Sequence, residues 1–458
     1  MLSPVYFNVH DLRRLRRGEF VKAKALLLFI SFACAPTVYS FGQVDCTTST
    51  KLICEFPVSA EVLGVNTIGA PFVNHVQQIA GPINASIAAQ LTQLPIPSAT
   101  VGTVFIQQKG SDVPVAFENL GPVLTDRPDT VGKRHIFIGF SYQHFNFNAF
   151  DGQNLATLPV AFQIQQASPF NPNDLQTFYG AESNNVGFKL DQYVGVLTYG
   201  LTRTTDISVV VPFNSVKLAV TSSAFQAYVY DPVSNTYTNQ SPAAGTTITT
   251  SGSAGGVGDI ILNFKQLLIG GEHSRPAVTA GATFRIPSGD DLNYLGSGAV
   301  GGTAYGLFEY RWRVAPHLKL SYQWNGNSQV MNLQAPSNTR LPGGLEYAAG
   351  ADIKVVRSLT LALDILGNQI VNAPSFVLLP PLTLSPAPPT GSGVPPTFTV
   401  TTTSNNTYTT VNFSSGLKWS PGKHFLFYGN MLMQINNVGL RSNIVPLAGI
   451  AYNFKASK

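Results

Sequence analysis

Apolar and polar residues alternate with a two-residue period along most of the chain, and the alternation is clearest between residues 304 and 325. Successive side chains of a strand point to opposite sides, so this period indicates two distinct faces. One face would carry Phe308, Tyr310, Trp312, Leu320, Tyr322 and Trp324. The segment predicts a hairpin with its turn at Ala315-Pro316-His317. Its strands approach the roughly 9 to 11 residues that cross a bilayer at a tilt, which favours lipid on the apolar face and water on the polar face.

The same pattern recurs from Arg134 to Phe454 and predicts about twelve strands, within a range of roughly ten to fourteen. Short predicted turns near Arg203, Gly271, Pro316, Arg357 and Pro421 alternate with long connections at 149–186, 221–256, 286–303, 326–342 and 366–406. Outer-membrane barrels combine short periplasmic turns with long outer loops. We therefore predict an all-β fold, a closed antiparallel up-and-down transmembrane β-barrel. A soluble sandwich or β-solenoid would also alternate, but neither explains the unequal connections.

Composition supports a lipid-facing surface. Charged residues make up 11% of the chain and hydrophobic residues 44%, whereas soluble domains are about one quarter charged. After residue 40 the sequence contains no apolar run of the roughly 20 residues that a spanning helix needs. A closed barrel is the other structure that pairs every backbone polar group in lipid.

Residues 1–40 are predicted to be a cleaved signal peptide that directs export to the outer membrane. They combine a basic leader, an apolar core from Ala25 to Ala35, and Val38 and Ser40 as a small-residue cleavage pair. A membrane anchor is the alternative, although the apolar core is short for one. These residues contain six bases and two acids, so they account for most of the formal charge of +5. The rest of the chain is not basic enough to indicate a nucleic-acid partner.

The predicted domains are the signal at 1–40, a periplasmic or plug segment at 41–130 and the barrel at 131–458. Within the second segment, Asn74–Leu94 carries apolar residues at helical spacing, although Pro82 would interrupt a helix. Cys46 and Cys54 form an even pair in an exported chain, which favours a disulfide over a two-cysteine metal site. The sequence indicates no other metal site and no cofactor.

A barrel of about twelve strands should have a narrow lumen suited to small molecules. The polar face of the predicted strands places eleven charged side chains in that lumen: Lys265, Arg285, Glu309, Arg311, Arg313, Lys319, Glu346, Asp352, Lys354, Asp364 and Lys418. We expect the bases near the short turns to form a ring at the periplasmic mouth with a mild preference for anions. In this prediction Arg313 and Lys319 oppose one another across the Pro316 turn. The alternative is that these side chains extend to the interface and pair locally.

The sequence does not indicate an enzyme. An outer-membrane hydrolase needs a nucleophile beside a histidine, or paired carboxylates with a base. His135 and His144 lack such a motif, and His273 and His317 fall in predicted periplasmic turns. Asp290-Asp291 beside Gly289 is typical of turn chemistry. A structural or interaction barrel that presents outer loops, such as Thr221–Gly256, is the other alternative.

Several short motifs resemble those of one outer-membrane family. They are Thr130-Val131-Gly132-Lys133, Ile138-Gly139-Phe140-Ser141-Tyr142, Tyr199-Gly200-Leu201-Thr202, Gly256-Val257-Gly258-Asp259 and Pro287-Ser288-Gly289-Asp290. They are similar to the family described as the MetA pathway of phenol degradation, which is more distantly similar to FadL-type channels. The resemblance implies a transporter-like barrel for passive uptake of small hydrophobic or aromatic molecules, without identifying the substrate. The ending Ile450–Phe454 is similar to the aromatic-terminated strand that the barrel-assembly machinery binds, so outer-membrane lipids and that machinery are the expected partners.

Overall fold

The fold is a twelve-stranded antiparallel barrel. The computed structural model describes residues 46, 49–55, 84–91, 94, 105–107, 114–116, 120 and 123–455, with gaps at 168–174, 232, 234, 240, 242, 244, 271–274, 332–338, 357, 385–396 and 423. The barrel strands are β1 His135–Phe147, β2 Leu175–Gly200, β3 Thr205–Asp231, β4 Ile260–Ile269, β5 Pro276–Ile286, β6 Gly301–Tyr310, β7 Val314–Asn325, β8 Gly344–Val356, β9 Leu359–Thr383, β10 Thr397–Trp419, β11 Phe425–Gln434 and β12 Ile444–Lys455. The predicted signal at 1–40 lies outside the described residues.

Each strand pairs with the next in sequence, and β12 pairs with β1 to close the barrel, with Tyr452 opposite Ile138. The predicted up-and-down topology and the count of twelve are therefore confirmed. The N-terminal end of β1 and the C-terminal end of β12 lie at the edge of the barrel that carries the short turns. That edge faces the periplasm in outer-membrane barrels, so we call it the periplasmic end and the opposite edge the outer end.

The predicted position of one turn is wrong. The pairing of β6 with β7 runs to Glu309 opposite His317, so the chain turns at residues 311–313 and not at 315–317. Pro316 lies inside β7, just beyond the last residue pair with β6, where its missing N–H interrupts no ladder to that strand. The predicted facing survives the correction because both strands keep their phase. Phe308, Leu320 and Tyr322 are exposed on the outside of the wall.

The outer surface of the wall carries an apolar belt edged by aromatic residues. Leu197, Leu318, Ile365 and Leu417 are among its exposed residues. Toward the periplasmic end, the ring centroids of Phe425 and Tyr452 lie 4.7 Å apart. Trp312, in the turn between β6 and β7, and Trp419, at the end of β10, are exposed at the same end. Exposed apolar surface of this extent suits lipid. No helix in the described part of the chain is long and apolar enough to cross a membrane.

Beyond the belt, β2 and β3 continue toward the outer end, where their apolar side chains face inward and their polar side chains face outward. Phe188 and Val216 are buried on the inside, whereas Lys189 and Lys217 are exposed on the outside. This is the pattern of a sheet in water around an apolar core. The extension is widened by Leu158–Ala167 beside β2, and by Thr236–Asn239 and Ile248–Val257 beside β3.

Shorter elements complete the fold. 3₁₀ helices occur at Leu52–Cys54, Leu155–Thr157, Asp291–Asn293 and Gln329–Met331. Residues 84–91 are α-helical, within the range where the sequence predicts a helix, and residues 74–83 lie outside the described part. Phe105–Gln107 pairs with Pro114–Ala116, and Ala149–Phe150 pairs with Gln153–Asn154 and Leu440–Arg441.

Candidate functional site: the lumen and the segment inside it

Residues 120 and 123–131, which we call the strap, cross the inside of the barrel at its periplasmic end. Lys418 Nζ donates to the Leu120 carbonyl oxygen at 3.1 Å, and Lys265 Nζ donates to the Arg127 carbonyl oxygen at 3.1 Å. The Val131 N–H donates to Asp206 Oδ2 at 2.8 Å before the chain enters β1. The strap is thus bonded to several sides of the barrel wall.

A buried charge cluster holds the middle of the strap. Arg127 is 1% exposed, and its Nη2 lies 2.9 Å from Asp129 Oδ2 and 3.7 Å from Glu309 Oε1. Arg311 forms a further ion pair with Asp129. Since a buried charge is costly unless it is paired, the strap and the wall depend on each other here.

His317 forms a second buried cluster on the wall below the cavity. Its Nδ1 lies 3.4 Å from Asp352 Oδ2 and its Nε2 lies 2.5 Å from Asp364 Oδ1. Thr125 of the strap donates to Asp364 at 3.5 Å. The prediction that His317 lies in a periplasmic turn is wrong, because the turn comes earlier in the chain. Its shared phase with Lys319 in the two-residue pattern is the signal that could have placed it inside.

At the outer end, residues 46 and 49–55 form a structure that we call the clasp. Cys46 and Cys54 are joined by a disulfide, with Cα atoms 5.2 Å apart. Lys51 Nζ pairs with Asp290 Oδ2 at 2.6 Å in the long loop between β5 and β6. The Glu55 carbonyl oxygen accepts a 2.9 Å hydrogen bond from Thr250 Oγ1.

The helical residues 84–91 lie next to the clasp. Asn84 Nδ2 donates to the Ile53 carbonyl oxygen at 2.6 Å, and Tyr294 Oη donates to Asn84 Oδ1 at 2.9 Å. Gln90 accepts a hydrogen bond from the backbone N–H of Leu440, in the outer connection between β11 and β12. The N-terminal segment therefore has contacts at both ends of the barrel.

A cavity of about 300 Å³ lies in the lumen between these two sets of contacts. Leu91 and Leu94 line it on the helix side, and Leu124 and Asp126 of the strap line it on the periplasmic side. The wall around it has a mixed side and a polar side. The mixed side, on β2 to β4, includes the apolar Leu190, Val210 and Ile261 beside the polar Gln192, Asn214 and Asn263. The polar side, on β5 to β8, includes Arg285, Tyr305, Lys319, Gln323 and Glu346.

The polar side is held by pairs of opposite charge. Lys319 Nζ lies 3.9 Å from Glu346 Oε2 and 5.9 Å from the Tyr305 ring centroid. Arg285 Nε lies 3.6 Å from Asp259 Oδ2. Each cation therefore has a carboxylate beside it, and the polar side has no excess positive charge from these two bases.

Tyr305 is positioned by the absence of a side chain opposite it. Its partner in the adjacent strand is Gly281, and a Cβ built there would lie 2.2 Å from the Tyr305 ring. The Tyr305 hydroxyl donates to Asn263 Oδ1 at 2.8 Å. The ring therefore lies over the wall and not across the lumen, which leaves space for the cavity.

The loop between β5 and β6 covers the outer side of the cavity. Asp259 accepts hydrogen bonds from the backbone N–H of Gly289 at 3.2 Å and of Ser297 at 2.8 Å, which fixes the loop. Burial raises the pKa of Asp291 above its usual value, although Gln329 donates to it at 2.9 Å. Burial likewise raises the pKa of Tyr294.

The residues predicted to line the lumen occupy three environments. Arg285, Lys319 and Glu346 line the cavity. Those buried or partly buried around the strap and the His317 cluster are Lys265, Glu309, Arg311, Asp352, Asp364 and Lys418. Lys354 is half-buried near a periplasmic turn, and Arg313 is exposed in the turn at 311–313.

The predicted opposition of Arg313 and Lys319 is wrong, because Lys319 pairs with Leu307 on β6 and Ala348 on β8. Sequence reasoning also missed Arg127 and Asp129, whose partners on the wall, Glu309 and Arg311, are distant in the chain. Among the described residues, no group of three or more His, Cys, Asp and Glu side chains is arranged to hold a metal ion.

Several solved structures of outer-membrane proteins are similar to this chain at low sequence identity. An outer-membrane channel from Pseudomonas putida F1 is similar at 12% identity and TM-score 0.41, and the match covers 71% of this chain and 97% of that one. The P. putida toluene transporter TodX is 9% identical with TM-score 0.31, covering 71% and 90%, and the CymD monoaromatic hydrocarbon channel is 10% identical with TM-score 0.30, covering 72% and 92%. At these TM-scores the similarities carry no argument about this protein.

No curated protein matches the sequence. A family profile does match, over residues 173–366, which is less than half of the chain and runs from β2 into β9. Over that region the chain matches the family described as "Putative MetA-pathway of phenol degradation", which confirms the resemblance seen in the motifs.

Proposed function

We propose that this protein is an outer-membrane channel for the passive uptake of small, uncharged aromatic molecules, which pass through the cavity in the lumen. The cavity itself carries the proposal. Its volume of about 300 Å³ lies at the lower end of typical ligand pockets. An apolar cavity of roughly 150 Å³ can bind benzene, so this one accommodates a single substituted ring.

The two sides of the cavity favour a neutral ligand with one polar group. The ring would lie against Leu190, Val210 and Ile261, and a hydroxyl or carbonyl group would face Lys319 and Glu346. Either group can accept a hydrogen bond from the ammonium, and a hydroxyl can also donate one to the carboxylate. A ligand carboxylate would meet Glu346 as a like charge, which raises the cost of binding. The family match favours an aromatic ligand on separate grounds.

Residues 41–130 act in this proposal as a plug. The strap closes the periplasmic side of the cavity, and the clasp and helix close the outer side. Residues 1–40 are the cleaved signal, and the last strand, which ends at Phe454 and Lys455, is bound by the assembly machinery. The buried charged residues around the strap hold the plug in place, and the protein is not an enzyme.

The first experiment measures binding with a matched pair of variants. Val210→Trp would fill the cavity, whereas Val211→Trp on the same strand would face lipid, since Val211 is exposed on the outside of the wall. With a small phenol as the probe, calorimetry should detect binding to the parent protein and to Val211→Trp, and none to Val210→Trp. Equal binding by all three proteins would place the ligand elsewhere.

The second experiment tests passage and the strap together. Thr125 Oγ1 and Asp364 Oδ1 lie 3.5 Å apart, so Thr125→Cys with Asp364→Cys places two thiols close enough for a short bis-methanethiosulfonate cross-linker to join them and fix the strap. We expect uptake of the probe into proteoliposomes to fall after cross-linking and to recover with a reductant. Asp364→Cys alone controls for the lost carboxylate and for reduction of the native disulfide. If uptake is unchanged when positions 125 and 364 are linked, the proposal that the strap moves is contradicted.

The same proteoliposomes distinguish the proposed channel from two alternative functions. An interaction barrel would show no uptake of any probe, and an outer-membrane hydrolase would release fatty acid or peptide from its substrates. We expect uptake without turnover.

A further inference from the structure

Exposed bases surround the barrel at its periplasmic end. We use the term rim for Lys133, Arg134, Arg203, Arg275, Arg313 and Lys455, all of which are exposed. They lie at the two ends of the barrel chain and in three of the five short turns. Within the described residues of these turns and ends, no Asp or Glu side chain is exposed. In the sequence between the strands, the undescribed positions add Arg357 and Lys423 and one acid, Glu272.

The rim differs from the bases inside the barrel. Interior bases such as Arg127 and Arg311 form ion pairs, whereas within the described residues none of the six rim side chains does. An unpaired, exposed base keeps its charge available to an external anion. The rim therefore presents positive charge outward and not into the lumen.

The rim is level with the aromatic edge of the apolar belt. The Arg275 guanidinium carbon lies 6.0 Å from the centroid of the Trp312 ring, which is itself exposed. Trp419 and Tyr452 are exposed at the same end of their strands. Because Trp and Tyr rings locate at the head-group level of a bilayer, bases beside them reach lipid phosphates.

The outer edge lacks this charge asymmetry. Lys217 is exposed there, but its positive charge stabilises the ionised carboxylate of Asp191. Asp191 also accepts hydrogen bonds from Tyr142 and His144. Lys189 and Arg340 are also exposed toward the outer end, so what distinguishes the described periplasmic turns and ends is that they contain exposed bases and no exposed acid.

We propose that the rim binds the phosphate groups of anionic phospholipids in the periplasmic leaflet. A bilayer surrounds the barrel on every side. The rim bases lie at the β12–β1 end and in the turns after β2, β4 and β6, and the sequence places Arg357 and Lys423 in the two remaining short turns, after β8 and β10. An acidic protein partner would need a patch on one side. Clusters of bases at a membrane surface bind anionic lipids through these same electrostatic interactions.

Tryptophan fluorescence provides a direct test because the chain contains three tryptophans. Trp312 and Trp419 lie at the periplasmic edge, and Trp324 lies toward the outer end of β7. A Trp324→Phe protein therefore reports on the periplasmic edge, and a Trp312→Phe/Trp419→Phe protein reports on the outer edge. Both are reconstituted into phosphatidylcholine vesicles that contain brominated phosphatidylglycerol or brominated phosphatidylcholine as the quencher.

We expect the periplasmic reporters to be quenched more strongly by the anionic lipid, with a relative binding constant several times that of phosphatidylcholine. Each base near an anionic surface contributes roughly a fivefold effect on binding. Replacing Arg203, Arg313 and Lys455 with Gln should remove most of the preference, as should 0.5 M salt, where the screening length falls to about 4 Å. Replacing Lys189 and Lys217 with Gln on the outer side is the matched control and should leave it unchanged.

Three results would overturn the proposal. The first is equal quenching by the two lipids at the periplasmic reporters, and the second is an equal preference at the outer reporter. The third is a preference that survives the triple replacement. If the rim proved to bind soluble polyglutamate while discriminating between no lipids, an acidic protein would be its partner and the lipid assignment would fail.

Discussion

Removing the Arg127 guanidinium should release the strap. The Arg127→Ala change leaves Asp129 with its partner Arg311 but takes from Glu309 the cation at 3.7 Å. Glu309 is fully buried, and neither of its carboxylate oxygens accepts a hydrogen bond in the described structure. The variant therefore contains a buried carboxylate whose main compensation is gone.

Breaking a buried ion pair in this way typically costs about 3–5 kcal/mol. The pairing of the twelve barrel strands does not involve the strap, so we expect the cost to appear as detachment of the strap and not as unfolding of the wall. At about 1.4 kcal/mol per factor of ten, the detached fraction should rise by a factor of roughly 10² to 4 × 10³.

Hydrogen exchange and conductance measure this release independently. The backbone N–H groups of Leu120 and Val131 donate to Thr360 and Asp206 at 3.0 and 2.8 Å, so both should exchange faster in the variant. Single-channel conductance in planar bilayers should increase. Arg313→Ala removes the same side chain from an exposed turn and should change neither quantity.

The reasoning also predicts a rescue. Arg127→Ala combined with Glu309→Gln removes the uncompensated charge and should recover part of the protection, because residues in one charge network are not additive. Unchanged exchange at both amides in Arg127→Ala would refute the assignment of the strap's stability to this cluster. A double variant no better than the single one would show that Glu309 is not the source of the cost.

Three further changes have outcomes fixed by local geometry. Gly281→Ala forces a methyl group against the facing tyrosine ring and should lower barrel stability by about 1–3 kcal/mol in heat-denaturation assays, whereas Gly306→Ala, with open space around it, should have no such effect. Replacing Cys46 and Cys54 with Ser should destabilise the clasp by about 2–4 kcal/mol, visible as faster proteolysis near residue 51. Burial raises the pKa of Asp291, so its contribution to stability is greatest below the ordinary value of 3.8 and declines as pH rises through the folded pKa. Asp291→Asn should remove that decline in pH-dependent melting, and an unchanged pH profile would contradict it.

The strands of the barrel wall could be predicted because the surroundings of their side chains alternate with a period of two residues. Lipid outside and water inside require alternation along every strand, so Phe308 and Leu320 are correctly placed even though the turn between their strands is not. The turn was misplaced because proline is typical of turns. Proline is also tolerated in a strand at a position where no N–H donor is needed, as at Pro316. Phase along a strand is thus more reliable than the position of its ends.

The interior could not be predicted in the same way. Arg127 and Glu309 are separated by most of the first half of the barrel, and a single ion pair leaves no periodic trace in sequence. The cavity has the same difficulty, because its shape depends on where Leu91 and Leu124 of a non-strand segment meet the wall. Charged residues were assigned to the lumen by phase, but their partners came from outside the alternating region.

The contacts at the two ends of the N-terminal segment limit how the proposed channel can open. At the outer end, Lys51 and the Leu52 N–H bond to Asp290 and Asn293, and at the periplasmic end the chain continues covalently from the strap into β1. Ejecting the whole segment into the periplasm would break both the clasp and the packing of Leu52 and Ile53, which are almost fully buried. Displacing the strap alone breaks only the contacts around residues 120–131. Local movement of the strap is therefore the less costly route by which a ligand in the cavity could reach the periplasm.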